Sequence, residues 1–291
     1  MPIPPCSPRF SHVAAGSLLL LTLGVPTGVH ADPSTETDVA SRIESLFKSS
    51  GESGYEGCFL VADLTGKVLF RSGETCAEPY SPCSTFKIPN SLIGLEVGAV
   101  TPDEVMKWDG KPKYFKAWQQ DHGLASAMTY SVVWYYQELA RRVGNETMQR
   151  YVDRFDYGNR DLSSGIDTFW LGESLSISAD EQLVFLEKFW SGRLPIAPAH
   201  VRTVKDVLPS EEGEHWQLRA KTGSCRLETT SLGWWVGHAR RGETERLFVT
   251  RITGQGAEGR KARELTRTLL ADPTIATALL GAPIPNPPKG P

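Results

Sequence analysis

The chain has 291 residues, of which 40% are hydrophobic and 22% are charged, and its formal net charge is −3 at pH 7. A chain of this length can bury a large core, either as one domain or as two lobes that share an interface. Because the charge is nearly balanced, the sequence shows no polybasic pattern for nucleic acid or anionic membranes, which favours a small-molecule ligand.

The first 31 residues predict a secretory signal peptide. Arg9 and His12 precede the apolar run VAAGSLLLLTLGVPTG, and acidic, polar sequence follows Ala31. The run is shorter than the roughly 20 residues that span a bilayer, so cleavage after Ala31 is favoured over a membrane anchor. Cys6 lies before the apolar run and not at the cleavage site, so the segment has no lipid-anchor pattern. We therefore expect a periplasmic protein without a membrane span after cleavage.

The patterns after this segment predict a helix, a hairpin, a helical block, three strands and a final helix. Helical spacing of apolar residues predicts a helix in residues 37–51, and the run CFLVADLTGKVLF (58–70) predicts a hairpin that turns at DLTG. Helical patterns dominate from Ser84 to about Pro195. Strand patterns return in residues 215–223, 231–241 and 245–254, and the last helical pattern covers residues 258–272.

This order of elements predicts an α+β fold. We expect an antiparallel sheet built from both ends of the chain, flanked by the N- and C-terminal helices and carrying an inserted all-helical lobe. A ligand cleft would then lie at the seam between the lobes. The predicted organisation is a signal peptide (1–31), one domain (32–281) and a proline-rich tail (282–291) that is a poor candidate for ordered structure.

Four cysteines follow the signal peptide, and export would place them in an oxidising compartment. They are Cys58, Cys76, Cys83 and Cys225. Four cysteines allow three pairings, and the sequence alone does not choose between them. The predicted hairpin brings Cys58 and Cys76 toward the same end, which favours that pair.

The first motif with chemical content is Ser84-Thr85-Phe86-Lys87. Residues i and i+3 share a helical face, so the hydroxyl and the amine can come within hydrogen-bond reach. Serine becomes a nucleophile when a base takes its proton, and lysine can be that base if burial lowers the pKa of its amine. Taken alone, the same spacing is also typical of a serine at a helix start followed by a surface lysine.

The second motif is Ser131 followed by two valines within a helical pattern. Its hydroxyl could face the same cleft, or it could bond back to a carbonyl one turn earlier. The third motif is Lys221-Thr222-Gly223 on a predicted strand. Lysine and threonine can donate to a ligand carboxylate, and glycine lets the backbone approach closely. The alternative is a strand that simply ends at a glycine.

Together, in this order, the three motifs match those of penicillin-recognising serine acyltransferases. The chain resembles the class D β-lactamases, or oxacillinases, from about residue 55 to residue 270. The segments that carry the resemblance are STFKIPNSLIGLEVGAV, FKAWQQD, SVVWYYQELARRVG, YGN, FWLGESLSISADEQ and KTG...LGWWVG. The valines after Ser131 distinguish class D from relatives that have Ser-Asp-Asn there, and they make the pocket drier.

The resemblance implies a covalent mechanism that needs no cofactor other than carbon dioxide. Ser84 would attack the lactam carbonyl, and Lys87, carboxylated by carbon dioxide on its side-chain amine, would be the general base. Ser131 would relay the proton to the leaving nitrogen. Val133 and Trp170 would enclose the carbamate, with the indole N–H of Trp170 directed at its oxygens.

The resemblance also implies a binding site for the substrate. Backbone N–H groups of Ser84 and Ser224 would form the oxyanion hole. Lys221, Thr222 and Gly223 would face the substrate carboxylate. The arginine that usually binds this carboxylate falls between Arg260 and Arg263, and we favour Arg263.

Two residues depart from the family pattern, and two other activities stay open. Cys83 stands where alanine is frequent, and Ser224 stands where a bulky aromatic residue is frequent, which affects the expected substrate range and not the reaction. A β-lactam sensor domain or a penicillin-binding transpeptidase shares the motifs but keeps the acyl-enzyme. The six histidines lack the spacing of zinc ligands, so we expect no metal. The sequence does not choose between a monomer and a homodimer.

Overall fold

The structure, a computed structural model, describes residues 33–51 and 54–281. The predicted signal peptide and the predicted tail (282–291) lie outside the described residues and stay predictions. Within the described part of the chain, no helix is long and apolar enough to cross a membrane.

The helices and strands are introduced here in chain order. The helices are α1 (Pro33–Lys48), α2 (Lys87–Glu96), α3 (Leu124–Thr129), α4 (Val133–Val143), α5 (Asn145–Phe155), α6 (Ala179–Trp190), α7 (Pro198–Val207), α8 (Gly259–Leu269) and α9 (Pro273–Leu280). The strands are β1 (Glu56–Ala62), β2 (Val68–Ser72), β3 (Val105–Met106), β4 (His122–Gly123), β5 (Ser210–Gly213), β6 (Trp216–Arg226), β7 (Ser231–Arg241) and β8 (Thr244–Gly254).

The main sheet is antiparallel and has the strand order β2-β1-β8-β7-β6-β5. β1 pairs with β8, so the first and last strands of the chain are neighbours within the sheet. The two-stranded pair of β3 and β4 lies within the helical block. This arrangement confirms the predicted α+β fold, including a sheet built from both ends of the chain.

The sheet has a core on each face because side chains alternate along a strand. Trp235 of β7 packs with α1, α8 and α9 in one apolar cluster, whereas its neighbour Trp234 packs with the helical lobe in the other. Both tryptophans are buried. The alternation therefore places the terminal helices on one face of the sheet and the inserted helices on the other.

Three details differ from the predicted elements. The helical pattern of residues 123–144 is interrupted, because Ser131 adopts a left-handed backbone (φ 54°) between α3 and α4. β6 continues beyond Gly223 to Arg226, so the Lys-Thr-Gly motif lies inside the strand and does not end it. The elements α7, α9 and β5 were not predicted from the sequence.

The structure pairs Cys58 with Cys76 and Cys83 with Cys225. The first pair confirms the pairing favoured by the hairpin. The second pair links the 3₁₀ turn that precedes α2 (Cys83–Phe86) to strand β6 across 142 residues of sequence.

Candidate active site

Ser84 lies in a 3₁₀ turn (Cys83–Phe86) that leads directly into α2, and Lys87 is the first residue of that helix. The Nζ atom of Lys87 lies 2.8 Å from the Oγ of Ser84. Lys87 has no exposed surface, whereas Ser84 is partly exposed and lines a cleft. A hydroxyl at the cleft surface is thus hydrogen-bonded to an amine inside the protein.

Burial controls the protonation of this amine. Desolvation lowers the pKa of Lys87 well below its ordinary value, and the nearby positive charge of Lys221 lowers it further. The ring of Tyr136 lies 5.2 Å below the Nζ atom, and no carboxylate is among the partners of this amine in the described part of the chain. The site therefore favours a neutral lysine.

Trp170 packs on the 3₁₀ turn that precedes Lys87. Its ring is fully buried and stacks on Phe86 of the 3₁₀ turn that holds Ser84 (Cys83–Phe86, called the nucleophile turn below after the role proposed for Ser84), with the ring centroids 5.6 Å apart. Its indole Nε1 is buried and has no hydrogen-bond partner among the described residues. A buried N–H without an acceptor is costly, so this donor is available for a group that the polypeptide itself does not supply.

A second buried lysine, Lys221, is hydrogen-bonded to Ser131. The Nζ atom of Lys221 donates to Ser131 Oγ at 3.0 Å and to the carbonyl of Thr222 at 2.9 Å. Burial lowers the pKa of Lys221 to about 7. The left-handed backbone of Ser131 turns this residue out of the helix pattern, and its hydroxyl bonds Lys221 and not a carbonyl of the preceding turn.

The free edge of β6 presents backbone donors beside Ser84. Ala220 N–H donates to Pro209 O on the side away from β7, and the register with β7 runs unbroken from Gln217 to Arg226. Since N–H groups alternate in direction along a strand, those of Thr222 and Ser224 point the same way as that of Ala220. Ser224 N–H is therefore directed to the open edge.

Gly223 permits the close approach of β6 to the nucleophile turn. A Cβ atom at this position would lie 3.0 Å from Pro82 O and 3.2 Å from the Cγ2 of Thr85. A larger residue would require these neighbours or the strand to shift by a few tenths of an ångström. The glycine of the third motif therefore favours tight packing of β6 against the turn that holds Ser84.

The cleft has a volume of about 670 Å³ and brings together residues of all three motifs. Its lining includes Ser84, Ser131, Val133, Thr222, Ser224 and Arg260. Arg263, favoured from the sequence, instead lines a neighbouring cavity, and its guanidinium lies 3.9 Å from the carboxylate of Glu211.

Two features of the site were not identified from the sequence. Ser81 donates its hydroxyl to the carbonyl of Trp170 and accepts from Gly172 N–H, both at 2.9 Å, which fixes the Trp170 loop to the nucleophile turn. Phe115 and Leu171 add apolar surface to the cleft. The aromatic density of residues 114–118 is a signal that could have indicated this wall, whereas Ser81 has no distinguishing sequence pattern.

Comparison with known proteins points to the same family that the three sequence motifs resemble. The family model described as the penicillin binding protein transpeptidase domain matches residues 44–271. Probable beta-lactamase YbxI of Bacillus subtilis (strain 168) is 42% identical over 217 residues, which cover 74% of this chain and 80% of that protein. Beta-lactamase OXA-48 of Klebsiella pneumoniae is 39% identical over 201 residues, covering 68% and 76% of the two chains.

Solved structures extend the similarity to three dimensions. A class D beta-lactamase from Bacillus subtilis superposes with a TM-score of 0.72 at 40% identity, covering 79% of this chain and 94% of that one. Class D beta-lactamase BAT-2 gives a TM-score of 0.72 at 39% identity, covering 80% and 96%. With the Ser84–Lys87 and Ser131–Lys221 pairs in one cleft, these likenesses establish that the chain belongs to the class D β-lactamase family.

Proposed function

We propose that the protein hydrolyses β-lactam antibiotics through a covalent acyl-enzyme on Ser84. The observation that carries this proposal is the 2.8 Å contact between Ser84 Oγ and the amine of the fully buried Lys87. A nucleophile beside a base of lowered pKa, on the wall of a cleft, is the arrangement that acyl transfer requires.

Acylation forms one bond and breaks another. Ser84 Oγ bonds to the lactam carbonyl carbon as its proton leaves toward Lys87, and the oxyanion accepts from the N–H groups of Ser84 and Ser224. The Ser131 hydroxyl then donates its proton to the lactam nitrogen as the C–N bond breaks. Lys221, 3.0 Å from Ser131 Oγ, returns a proton to that hydroxyl.

The base proposed here is Lys87 carboxylated by carbon dioxide on Nζ. Only an unprotonated amine can take up carbon dioxide, and burial keeps the pKa of Lys87 low enough for that form. The indole N–H of Trp170, which is unpartnered and belongs to a ring stacked on Phe86, the residue before Lys87, would provide a donor for such an acceptor group. When present, the carbamate would supply an acceptor for the Ser84 proton and later for that of the hydrolytic water. The residues of this site therefore fit the modification.

The third motif would bind the substrate carboxylate. Thr222 lines the cleft, and Lys221, its neighbour on β6, lines the adjoining cavity that Thr222 also borders. Gly223 would let the substrate approach the strand. Arg260 is our first candidate for the arginine partner because it lines the cleft, and Arg263 remains the second. No metal is required in any of these steps.

Export to the periplasm is part of the proposal. The sequence pattern of residues 1–31 supports a signal peptide. The two disulfides, Cys58–Cys76 and Cys83–Cys225, support an oxidising compartment. Periplasmic β-lactams would then be the small molecules that reach the cleft.

The match to the transpeptidase domain model raises a second candidate, a protein that is acylated without rapid hydrolysis. Incubation of the mature protein with a chromogenic cephalosporin separates the two. Many turnovers per enzyme are expected, whereas a stoichiometric burst with a persistent adduct in the mass spectrum would indicate a sensor or transpeptidase. Ser84→Ala should abolish the adduct in either case, and an adduct on this variant would show that Ser84 is not the nucleophile.

A further inference from the structure

The disulfide Cys83–Cys225 lies between the two proposed oxyanion donors. Cys83 directly precedes Ser84, and Cys225 directly follows Ser224. The Cα atoms of the two cysteines are 5.8 Å apart. One covalent link therefore ties the nucleophile turn to strand β6 at the point where each contributes an N–H group.

Cys83 holds a conformation that its side chain disfavours. Its φ is +49°, in the left-handed region that residues with a Cβ atom adopt only when their surroundings impose it. The peptide N–H of Ser84 takes its direction from this residue, because φ and ψ of Cys83 set the plane of the peptide that follows. The disulfide is one of the constraints that act directly on this backbone.

On the other side of the link, β6 has a free edge. β5 pairs with β6 from Trp216 to Arg219, so from Lys221 onward only β7 pairs with the strand. The Ser224 hydroxyl accepts from Gly259 N–H at 2.8 Å, which joins the strand to α8. The disulfide supplies a corresponding attachment to the nucleophile turn.

The sulfur of Cys225 also lies against the rest of the site. It is 3.8 Å from Ser81 Oγ, the hydroxyl that bonds the carbonyl of Trp170 and the N–H of Gly172. Trp234 Nε1 donates to Ser81 O at 2.9 Å. The link therefore sits where the nucleophile turn, the Trp170 loop and β6 meet.

We propose that Cys83 and Cys225 are positioning residues that hold the two oxyanion donors at the separation required by the tetrahedral intermediate. Such donors act only within about 2.7–3.1 Å of the oxyanion, so a small drift of β6 would weaken the transition state more than the bound substrate. This inference rests on the proposed roles of Ser84 and Ser224. It explains why cysteine stands where the family frequently has alanine.

The test compares two double variants, Cys83→Ala/Cys225→Ala and, as a matched control, Cys58→Ala/Cys76→Ala. The control removes the disulfide between β1 and the turn after β2. We expect the first variant to lose about 10- to 100-fold in kcat and in affinity for a boronic acid that forms a tetrahedral adduct with Ser84, with KM changed much less. The control should keep both values within about twofold below its melting temperature.

Wild-type protein provides a measurement that does not depend on the folding of a variant. Cys225 is partly exposed, whereas Cys58 and Cys76 have no exposed surface, so a mild thiol reductant should open Cys83–Cys225 first. Mass spectrometry monitors the reduction of this pair. Activity and boronate affinity should fall together as the pair is reduced, and both should return when oxidised glutathione reoxidises it.

Two results would overturn the inference. One is that the protein keeps its boronate affinity after Cys83–Cys225 is reduced or after both cysteines are replaced by alanine. The other is an equal loss of kcat in both double variants, which would show a general effect of stability. Failure of the proposed function itself is separate, because it would appear as adduct formation by Ser84→Ala or as the absence of turnover by the unmodified enzyme.

Discussion

Lys87 Nζ and Ser84 Oγ lie 2.8 Å apart at the boundary between the core and the cleft. Ser84 is partly exposed while Lys87 is fully buried, so the amine is shielded from water and the hydroxyl is accessible from the cleft. Burial lowers the pKa of the Lys87 amine well below its usual range, so a residue type that is ordinarily charged can serve as a proton acceptor.

The first prediction concerns carbon dioxide and pH. Lowering the pH protonates Lys87 as it passes through the lowered pKa of that amine, and the protonated amine cannot be carboxylated. We expect kcat to fall in degassed acidic buffer and to be restored by added bicarbonate. Lys87→Ala should lose about 10²- to 10⁴-fold and should not respond to bicarbonate. A wild-type rate that is indifferent to bicarbonate from pH 5 to pH 8 would contradict the carboxylated base.

The second prediction concerns the indole of Trp170. Trp170→Phe keeps an aromatic ring on Phe86 and removes the unpartnered Nε1 donor together with the five-membered part of the buried indole. A hydrogen bond to a charged group contributes about 1.5–3 kcal/mol, so the bicarbonate concentration for half-maximal activity should rise about 10- to 150-fold.

Trp234→Phe is the matched control for that variant. It removes the indole bond to Ser81 O on the same side of the sheet. We expect a loss of about 1–3 kcal/mol in unfolding free energy because the buried carbonyl loses its donor, with an unchanged bicarbonate requirement. Equal shifts of the bicarbonate requirement in Trp170→Phe and Trp234→Phe would contradict a hydrogen bond from Trp170 to the carbamate.

The order of elements could be predicted from the sequence because each depends on local periodicity. The hairpin of β1 and β2, and the disulfide Cys58–Cys76 beside it, follow from 18 residues of chain. Ser84 and Lys87 are three residues apart, so a single turn brings them together. Local spacing is sufficient for these features.

Features that depend on packing between distant elements could not be predicted in this way. Cys83 pairs with Cys225 only because β6 packs against the nucleophile turn, where Gly223 permits the approach. The helical pattern around Ser131 gives no indication of the left-handed backbone that exposes its hydroxyl to Lys221. The position of Arg260 depends on where α8 begins, and Ser224 fixes that point through Gly259.

The third prediction concerns the effect of the buried Lys221 on the free energy of unfolding. The shift of its pKa from 10.5 to about 7 corresponds to a penalty of about 5 kcal/mol, which is fully present below pH 7 and disappears as the pH rises toward 10.5. Lys221→Met should therefore stabilise the fold by about 1–3 kcal/mol at pH 6 and by less at pH 9, while lowering kcat/KM at least about 100-fold. Urea unfolding at both pH values measures this difference. A variant that is less stable than wild type at pH 6 would show that the bonds of Lys221 to Ser131 and Thr222 outweigh its desolvation.

The fourth prediction assigns the arginine that binds the substrate carboxylate. Arg260 lines the cleft, although it is exposed and already paired with Glu258 and Glu264, so its contribution should be modest. We expect Arg260→Ala to raise KM about three- to tenfold with little change in kcat, since the carboxylate is bound alike in the ground state and the transition state. Arg263→Ala is the matched control on the same helix, and because it faces Glu211 it should leave KM within about twofold. The reverse pattern, with KM raised by Arg263→Ala alone, would assign the carboxylate to Arg263.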